Sequence, residues 1–237
     1  MKREFYFQDD RSNKFWTVEV VGNEVVTTNG RIGASPRELR KEFSDAAVAQ
    51  REAEKLANSK LKSGYVEGAI SAAPQYEKPN WSQMTMSEDV FWRIIGLFNW
   101  KKTGDDDEVL KPAVTALSVM SVEDIQRFND ILAEKLFALD TEAHAREVGE
   151  YAYREGEYFS GDGFLYSRCV VVANGRSLFE AVLNDPKQMP KDMDFEAILS
   201  LAGQAFEEQT GAEFEYDSPV SYESFSNKSG WQNVKFE

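Results

Sequence analysis

The spacing of apolar residues changes period once along this chain, and that change limits the fold more than any other feature. Over the first 70 residues, aromatic and β-branched side chains come in short runs broken by Gly and Asn. Phe5 and Phe7 mark a short strand, Phe15-Trp16-Thr17-Val18-Glu19-Val20-Val21 a second, and Glu24-Val25-Val26-Thr27-Thr28 a third. Gly22-Asn23 turns the chain between the last two, a hairpin signal, and Asn29-Gly30 with Gly33 provides for a further turn. The period then lengthens to that of one helix, expected from Asp45 to about Lys62, with Ser44 as N-cap, Phe43 and Val48 as a hydrophobic staple and Gly64 as the stop. Tyr65-Val66-Glu67 returns as an edge strand. Residues 1–68 are therefore expected to form a small antiparallel sheet packed on one helix.

Beyond residue 87 the pattern is helical. Ser87 caps a helix carrying Val90, Phe91, Ile94, Ile95 and Phe98 on one side. Asp105 to Glu108 supplies carboxylates suited to the start of another. Ser121 with Asp124 resembles a capping box, and Ile125, Phe128, Ile131, Leu132, Leu136 and Leu139 continue the period. Asp140-Thr141 opens a further helix towards Arg154. The apolar run through Cys169 suits a strand or a helix, and its length favours a helix broken near Gly175. A last helix runs from Phe195 to Gln209 and ends at Gly211. Residues 69–86, rich in Ala, Ser and Pro, form the expected linker between a sheet-and-helix domain and an all-α domain over 87–237, an α+β chain as a whole.

Charge divides at the same place. Residues 1–70 hold 12 Lys and Arg against 11 Asp and Glu, a balance of +1, and residues 71–237 hold 15 against 30, a balance of −15. Hydrophobic residues make up 42% of the 237, enough for a core. No apolar run approaches the roughly 18 residues of a membrane span, and the N-terminus leads into a polar stretch with no secretory pattern. The lone Cys169 fits a reducing, cytoplasmic setting. One His and one Cys exclude a structural zinc site of Cys/His type and argue against a Ser-His-Asp enzyme.

Thr28-Asn29-Gly30-Arg31-Ile32-Gly33 occupies the place of a Trp-Gly-Arg-Ile/Val-Gly motif. The strand at Phe15-Trp16 precedes it, and Phe43, Lys60 and Gly64-Tyr65 follow at fitting distances. Residues 1–68 thus resemble the WGR domain. In poly(ADP-ribose) polymerases that domain helps to hold a DNA end. By position Arg31 matches the motif arginine, and Asn29 stands where the tryptophan should be, so an aromatic plate for a terminal base is missing. From about Met86 to Trp231 the chain resembles a bacterial family of unknown function often fused behind WGR domains, on Phe91-Trp92, Ala173-Asn174-Gly175-Arg176, Asn184-Asp185-Pro186 and Val220 to Phe225. That resemblance implies no activity.

Two sets of residues are candidates for binding. Arg31 with Arg37, Arg40 and Lys41 forms a small basic group that suits an anion or nucleic acid, but Arg31 also suits a structural arginine pinning its turn by hydrogen bonds. The stretch Glu207, Glu208, Glu213, Phe214, Glu215, Tyr216, Asp217, followed by Tyr222, Phe225 and Trp231, mixes acids with aromatics in the manner of a protein interface. Acids at 105–108 and at Glu142, Glu147, Glu150, Glu155 and Glu157 widen the negative field. Asp105-Asp106-Asp107 lacks EF-hand spacing, so no metal and no cofactor is expected. His144 is expected to be a solvated helix residue and Cys169 an inert buried thiol. The leading expectation is a non-enzymatic binding protein, in its concrete form an immunity protein whose acidic half blocks a basic toxin nuclease. The rival is DNA-end binding through the WGR-like half, and no membrane partner is expected.

Overall fold

The computed structural model describes residues 2–75 and 77–231, so Met1 and the last six residues of the acidic half lie outside the described residues. The chain divides into two compact units, residues 1–79 and 80–237.

The first unit is a five-stranded antiparallel sheet with one helix. Strands β1 (Arg3–Asp9), β2 (Ser12–Val21), β3 (Glu24–Arg31), β4 (Arg37–Glu42) and β5 (Val66–Glu67) lie in the order β4-β3-β2-β1-β5. The two-residue Gly22-Asn23 turn sets Val21 opposite Glu24, and that register carries down the hairpin to pair Trp16 with Asn29 and Lys14 with Arg31. Gly22 adopts φ +63°, the left-handed conformation that such a turn needs.

β4 adds to the sequence expectation, which named Arg37, Arg40 and Lys41 as basic candidates and assigned them no strand. Every residue of β4 is exposed, so no hydrophobic alternation marks it, and backbone pairing with β3 holds it extended. Its dense charge suits an edge, because it discourages pairing with another chain.

Helix α1 (Ala46–Lys62) covers one face of the sheet through Ala49, Ala53 and Ala57, which meet Phe5, Trp16, Val18 and Val25. Three alanines on one stripe let the helix axis approach the sheet closely. The N-cap is Asp45 and not Ser44: its carboxylate accepts from the Val48 N–H at 2.8 Å, a cap worth about 1 kcal/mol. At the other end the Tyr65 N–H donates to the Lys60 carbonyl at 3.1 Å and the Gly64 N–H to that of Leu61 at 3.0 Å. Gly64 at φ +82° completes this Schellman stop.

The stretch expected to be a linker is tied down at both ends. Ile70 donates its N–H to the Glu4 carboxylate at 3.1 Å, and the Gln8 amide donates to the Pro74 carbonyl at 2.9 Å. Trp81 and Met84 pack on the helical core. The Met86 N–H donates to the Asp124 carboxylate at 2.6 Å.

The second unit is helical: α2 (Glu88–Ile95), α3 (Asp106–Leu117), α4 (Val122–Ala138), α5 (Glu142–Ala145), α6 (Gly161–Ala173), α7 (Arg176–Asn184) and α8 (Leu201–Thr210), with 3-10 turns in some connections and a longer irregular segment between α5 and α6. Ser87 and Ser121 cap α2 and α4 as their positions predict, and Asp105, first of the carboxylate run, caps α3. Nine of the 13 residues of α6 are buried. A helix apolar on all sides belongs in the centre of a bundle, which explains why the Cys169 run carries no amphipathic period. Gly175 at φ +93° breaks α6 from α7. The helix expected from Asp140 towards Arg154 is cut to the single turn of α5. The helix expected from Phe195 begins as a 3-10 turn over Glu196–Ser200 before α8. No helix of the described residues is long and apolar enough to cross a membrane.

Candidate functional site

The pleat and register of the first unit gather cations that lie far apart in sequence. Phe5, Trp16, Asn29 and Arg37 form one row across the α1-covered face, and Lys14 and Arg31 are partners in the next. Lys60, in the last turn of α1, reaches over the Trp16 ring at 5.5 Å and the Tyr65 ring at 4.9 Å. The Schellman stop places Tyr65 there, because its backbone is bonded to Lys60 itself. The result is a shallow basin of about 600 Å³ lined by Arg11, Lys14, Asn29, Arg31 and Lys60, with no carboxylate among its lining residues. Among the described residues no acid pairs with Lys14, Arg31 or Lys60.

This arrangement sorts the basic residues expected from sequence. Arg31 is exposed and its guanidinium makes no hydrogen bond among the described residues, so it does not pin the turn. The turn is held by backbone bonds instead, Ile32 to Asn13 and Ala34 to Arg31. Arg37 shares the basin's face of the sheet. Arg40 points to the opposite face and is neutralised by Glu38 at 2.8 Å and Glu24 at 3.4 Å. Lys41 lies at the far end of β4, over the Phe43 ring. Lys14 was missed, although the hairpin register that pairs it with Arg31 follows from the Gly22-Asn23 turn. Trp16 is buried beneath Lys60, so no free aromatic plate replaces the motif tryptophan.

The acidic stretch alternates. Glu213, Glu215 and Asp217 are exposed, while Phe214 and Tyr216 turn inward, Phe214 onto Phe206 at 5.2 Å and Tyr216 onto Phe214 at 5.8 Å. The Tyr216 hydroxyl donates to Asp130, and burial followed by that carboxylate raises its pKa. Among the described residues no Lys or Arg pairs with Glu207, Glu208, Glu213, Glu215 or Asp217, and Glu208 accepts only from the Ser118 hydroxyl at 3.2 Å. The carboxylates therefore form an open anionic ridge. The aromatic anchors expected beside it are not available. Trp231 is buried and donates its indole N–H to Asp140 at 2.9 Å, and Phe225 packs on Trp231 at 4.8 Å. Tyr222 is half-buried against the core.

The side chains most suited to chemistry lie inside the bundle. His144 is buried, not solvated, because α5 is a single turn lodged against α7. Its Nδ1 lies 2.7 Å from the Thr141 hydroxyl and its Nε2 3.2 Å from the Val182 carbonyl, and burial lowers its pKa. Nε2 must carry a proton to meet the carbonyl, and the lowered pKa favours the neutral ring, whose Nδ1 then accepts from the Thr141 hydroxyl. Burial pushes the Cys169 thiol up to about 12. Asp140 accepts from the backbone N–H groups of Phe225 at 3.0 Å and Asn227 at 2.9 Å as well as from Trp231. Arg168 is fully buried, donates to the Leu136 carbonyl and the Ser224 hydroxyl, and is lowered to about 10 by its burial. No group of three His, Cys, Asp or Glu among the described residues is placed to hold a metal.

Comparison with known proteins places both units. A family described as a protein of unknown function (DUF4240) matches residues 86–208. The chain belongs to that DUF4240 family. In this DUF4240 protein the family's segment follows a WGR domain at residues 1–71. Protein YehF of Escherichia coli strain K12 is 45% identical over 67 residues, 28% of this chain and 24% of YehF. The uncharacterized protein YfeS of the same strain is 36% identical over 67 residues, 28% of each chain. The chain thus spans about a quarter of the length of these curated relatives. A crystal structure of a Bacteroides fragilis protein, 27% identical, covers 56% of this chain and 39% of that one with a TM-score of 0.32.

Proposed function

We propose that this protein acts by binding and not by catalysis, and that its WGR domain binds the phosphate backbone of nucleic acid. The observation that carries the reading is the basin in which Lys14, Arg31 and Lys60 converge without a counter-charge. Cations already paired to carboxylates add little to phosphate binding, whereas unpaired ones release counterions from the polyanion. The net charge of −14 does not oppose this strongly, since charges are screened beyond about 8–10 Å at physiological salt. With Asn29 in place of the tryptophan and Trp16 covered, the contact lacks base stacking, which contributes roughly 1–3 kcal/mol per base where it occurs. The binding is then indifferent to strand ends. His144 and Cys169, neutral and enclosed, support the non-enzymatic part of the reading.

The test is fluorescence anisotropy of the full chain with linear and with closed circular duplex DNA across a salt series. Equal affinity for the two is expected, and Lys14→Glu or Arg31→Glu should lower the salt slope by roughly 1 each. No binding at low salt, or a strong preference for ends, refutes it.

A second reading rests on the anionic ridge at Glu213, Glu215 and Asp217. It is the acidic immunity protein that occupies the DNA groove of a basic nuclease. Opposite charge would steer the encounter. Inhibition of a cationic nuclease that survives reversal of all three carboxylates to Lys removes the ridge from that account.

A further inference from the structure

One cleft of the helical unit belongs to neither surface. It lies between the segment Val148–Tyr158 that follows α5 and the loop Asp192–Asp194, with α6 as its floor. Its volume is about 470 Å³, inside the range of roughly 300–1,000 Å³ typical of ligand pockets. The floor is aromatic: Phe159 stacks towards Phe164 at 5.6 Å, and both continue into the core through Trp231. The rim is apolar and bare. Tyr151, Tyr158 and Met193 are exposed by 78%, 95% and 54%, and they are three of the ten large apolar side chains that the described residues leave in water. Single exposed apolar residues need no explanation, but three converging on one concavity mark an interaction site.

The walls are preformed. The Asp192 N–H donates to the Val148 carbonyl at 2.9 Å, and the Asp192 carboxylate accepts from the Glu150 N–H at 2.6 Å. A Cβ at Gly149, where φ is +109°, would stand 2.2 Å from the Asp192 carboxylate oxygen. Only glycine lets these two segments close on each other, so the backbone of the cleft is set before it is filled.

Its charge selects the occupant. Glu150, Glu157, Asp192 and Asp194 line it, and no Lys or Arg does. Arg154 reaches Glu157 at 3.7 Å, an exposed pair. Glu150 and Asp194 have no cation within salt-bridge distance among the described residues. Exposed tyrosine faces beside unpaired carboxylates suit a cation that also carries apolar surface. We propose that this cleft docks a basic segment of a protein partner, which inserts an arginine or lysine side chain between Tyr151 and Tyr158 while a neighbouring apolar side chain meets Met193 and Phe159. It rests on the second reading only in requiring a basic partner, and it moves the anchoring contact from the ridge to the cleft.

The probe is a fluorescein-labelled peptide of alternating arginine and leucine, titrated with the full chain. A matched peptide with glutamine for arginine is the control. Tyr158→Ser, at a fully exposed ring, should weaken binding about fivefold, and Glu150→Gln with Asp194→Asn about tenfold. The glutamine peptide should bind at least tenfold more weakly, about 1.4 kcal/mol. Affinity unchanged by all of these cleft variants, or equal binding of the glutamine peptide, overturns the proposal. Loss of binding only on charge reversal at Glu213, Glu215 and Asp217 overturns the cleft while sparing the ridge. No binding up to about 1 mM, a free energy weaker than roughly −4 kcal/mol, sinks both.

Discussion

Removing the Asp140 carboxylate tests how the helical unit is closed. Its two oxygens take the backbone N–H groups of Phe225 and Asn227 and the Trp231 indole, all within 3.0 Å, and a longer contact from Ser226 at 3.4 Å. Hydrogen bonds to a charged group contribute about 1.5–3 kcal/mol each, so the three short ones sum to roughly 4–9 kcal/mol. The full loss is not expected, because residues 225–231 can lift away and return their donors to water. Asp140→Ala should therefore cost about 4 kcal/mol and Asp140→Asn about 2 kcal/mol, since the amide keeps one acceptor but turns an N–H donor towards another donor. Equilibrium unfolding in urea, followed by far-ultraviolet circular dichroism to report the helical unit, measures this. With a slope of about 2 kcal/mol per M, the midpoint should fall by about 2 M for Asp140→Ala and 1 M for Asp140→Asn. A fall below about 0.5 M for the alanine variant would mean that the donors find other partners at no cost, and the carboxylate would then not be the fastening inferred here.

The buried histidine gives a pH dependence of definite sign. Burial holds the His144 pKa below its usual 6.5, so the unfolded chain binds the proton first. The stabilisation is complete above about pH 6.5 and is lost as the pH falls towards the folded value, so the melting temperature should drop on acidification from pH 7 and drop less in His144→Gln. An identical pH profile in the variant contradicts this. Cys169, buried and raised to about 12, should stay unreactive towards a disulfide reagent at neutral pH until denaturant is added. Prompt reaction of the native chain would show that α6 opens.

The sequence was most informative where side-chain pattern and backbone state coincide. The hairpin of β2 and β3, the caps at Ser87 and Ser121, and the break at Gly175 are local decisions, and they stand in the structure as expected. β4 was hidden because its extended form comes from pairing with β3 and not from its own residues, Arg37-Glu38-Leu39-Arg40-Lys41-Glu42. His144 looked solvated because a one-turn helix has no period to show a buried side. Phe225 and Trp231 looked like surface anchors because nothing near them in sequence reveals Asp140, 91 residues before the indole. The basin was partly legible: Arg31 and Lys60 both stand in the WGR pattern, while Lys14 joins them only through the register of the hairpin. Of the cleft only the acids Glu150 and Glu157 were legible, since its two walls are separated in sequence and meet through Gly149 and Asp192.

The grip of Asp140 on Phe225, Asn227 and Trp231 also has an order in time. A ribosome makes α4 well before it makes the segment that covers that carboxylate. Until Trp231 has emerged, Asp140 is solvated by water and the aromatic floor of the bundle lacks its last ring. Elongation at about 5–20 residues per second leaves the nascent bundle unsealed for some seconds. In that interval aromatic surface that the finished molecule hides lies open to water.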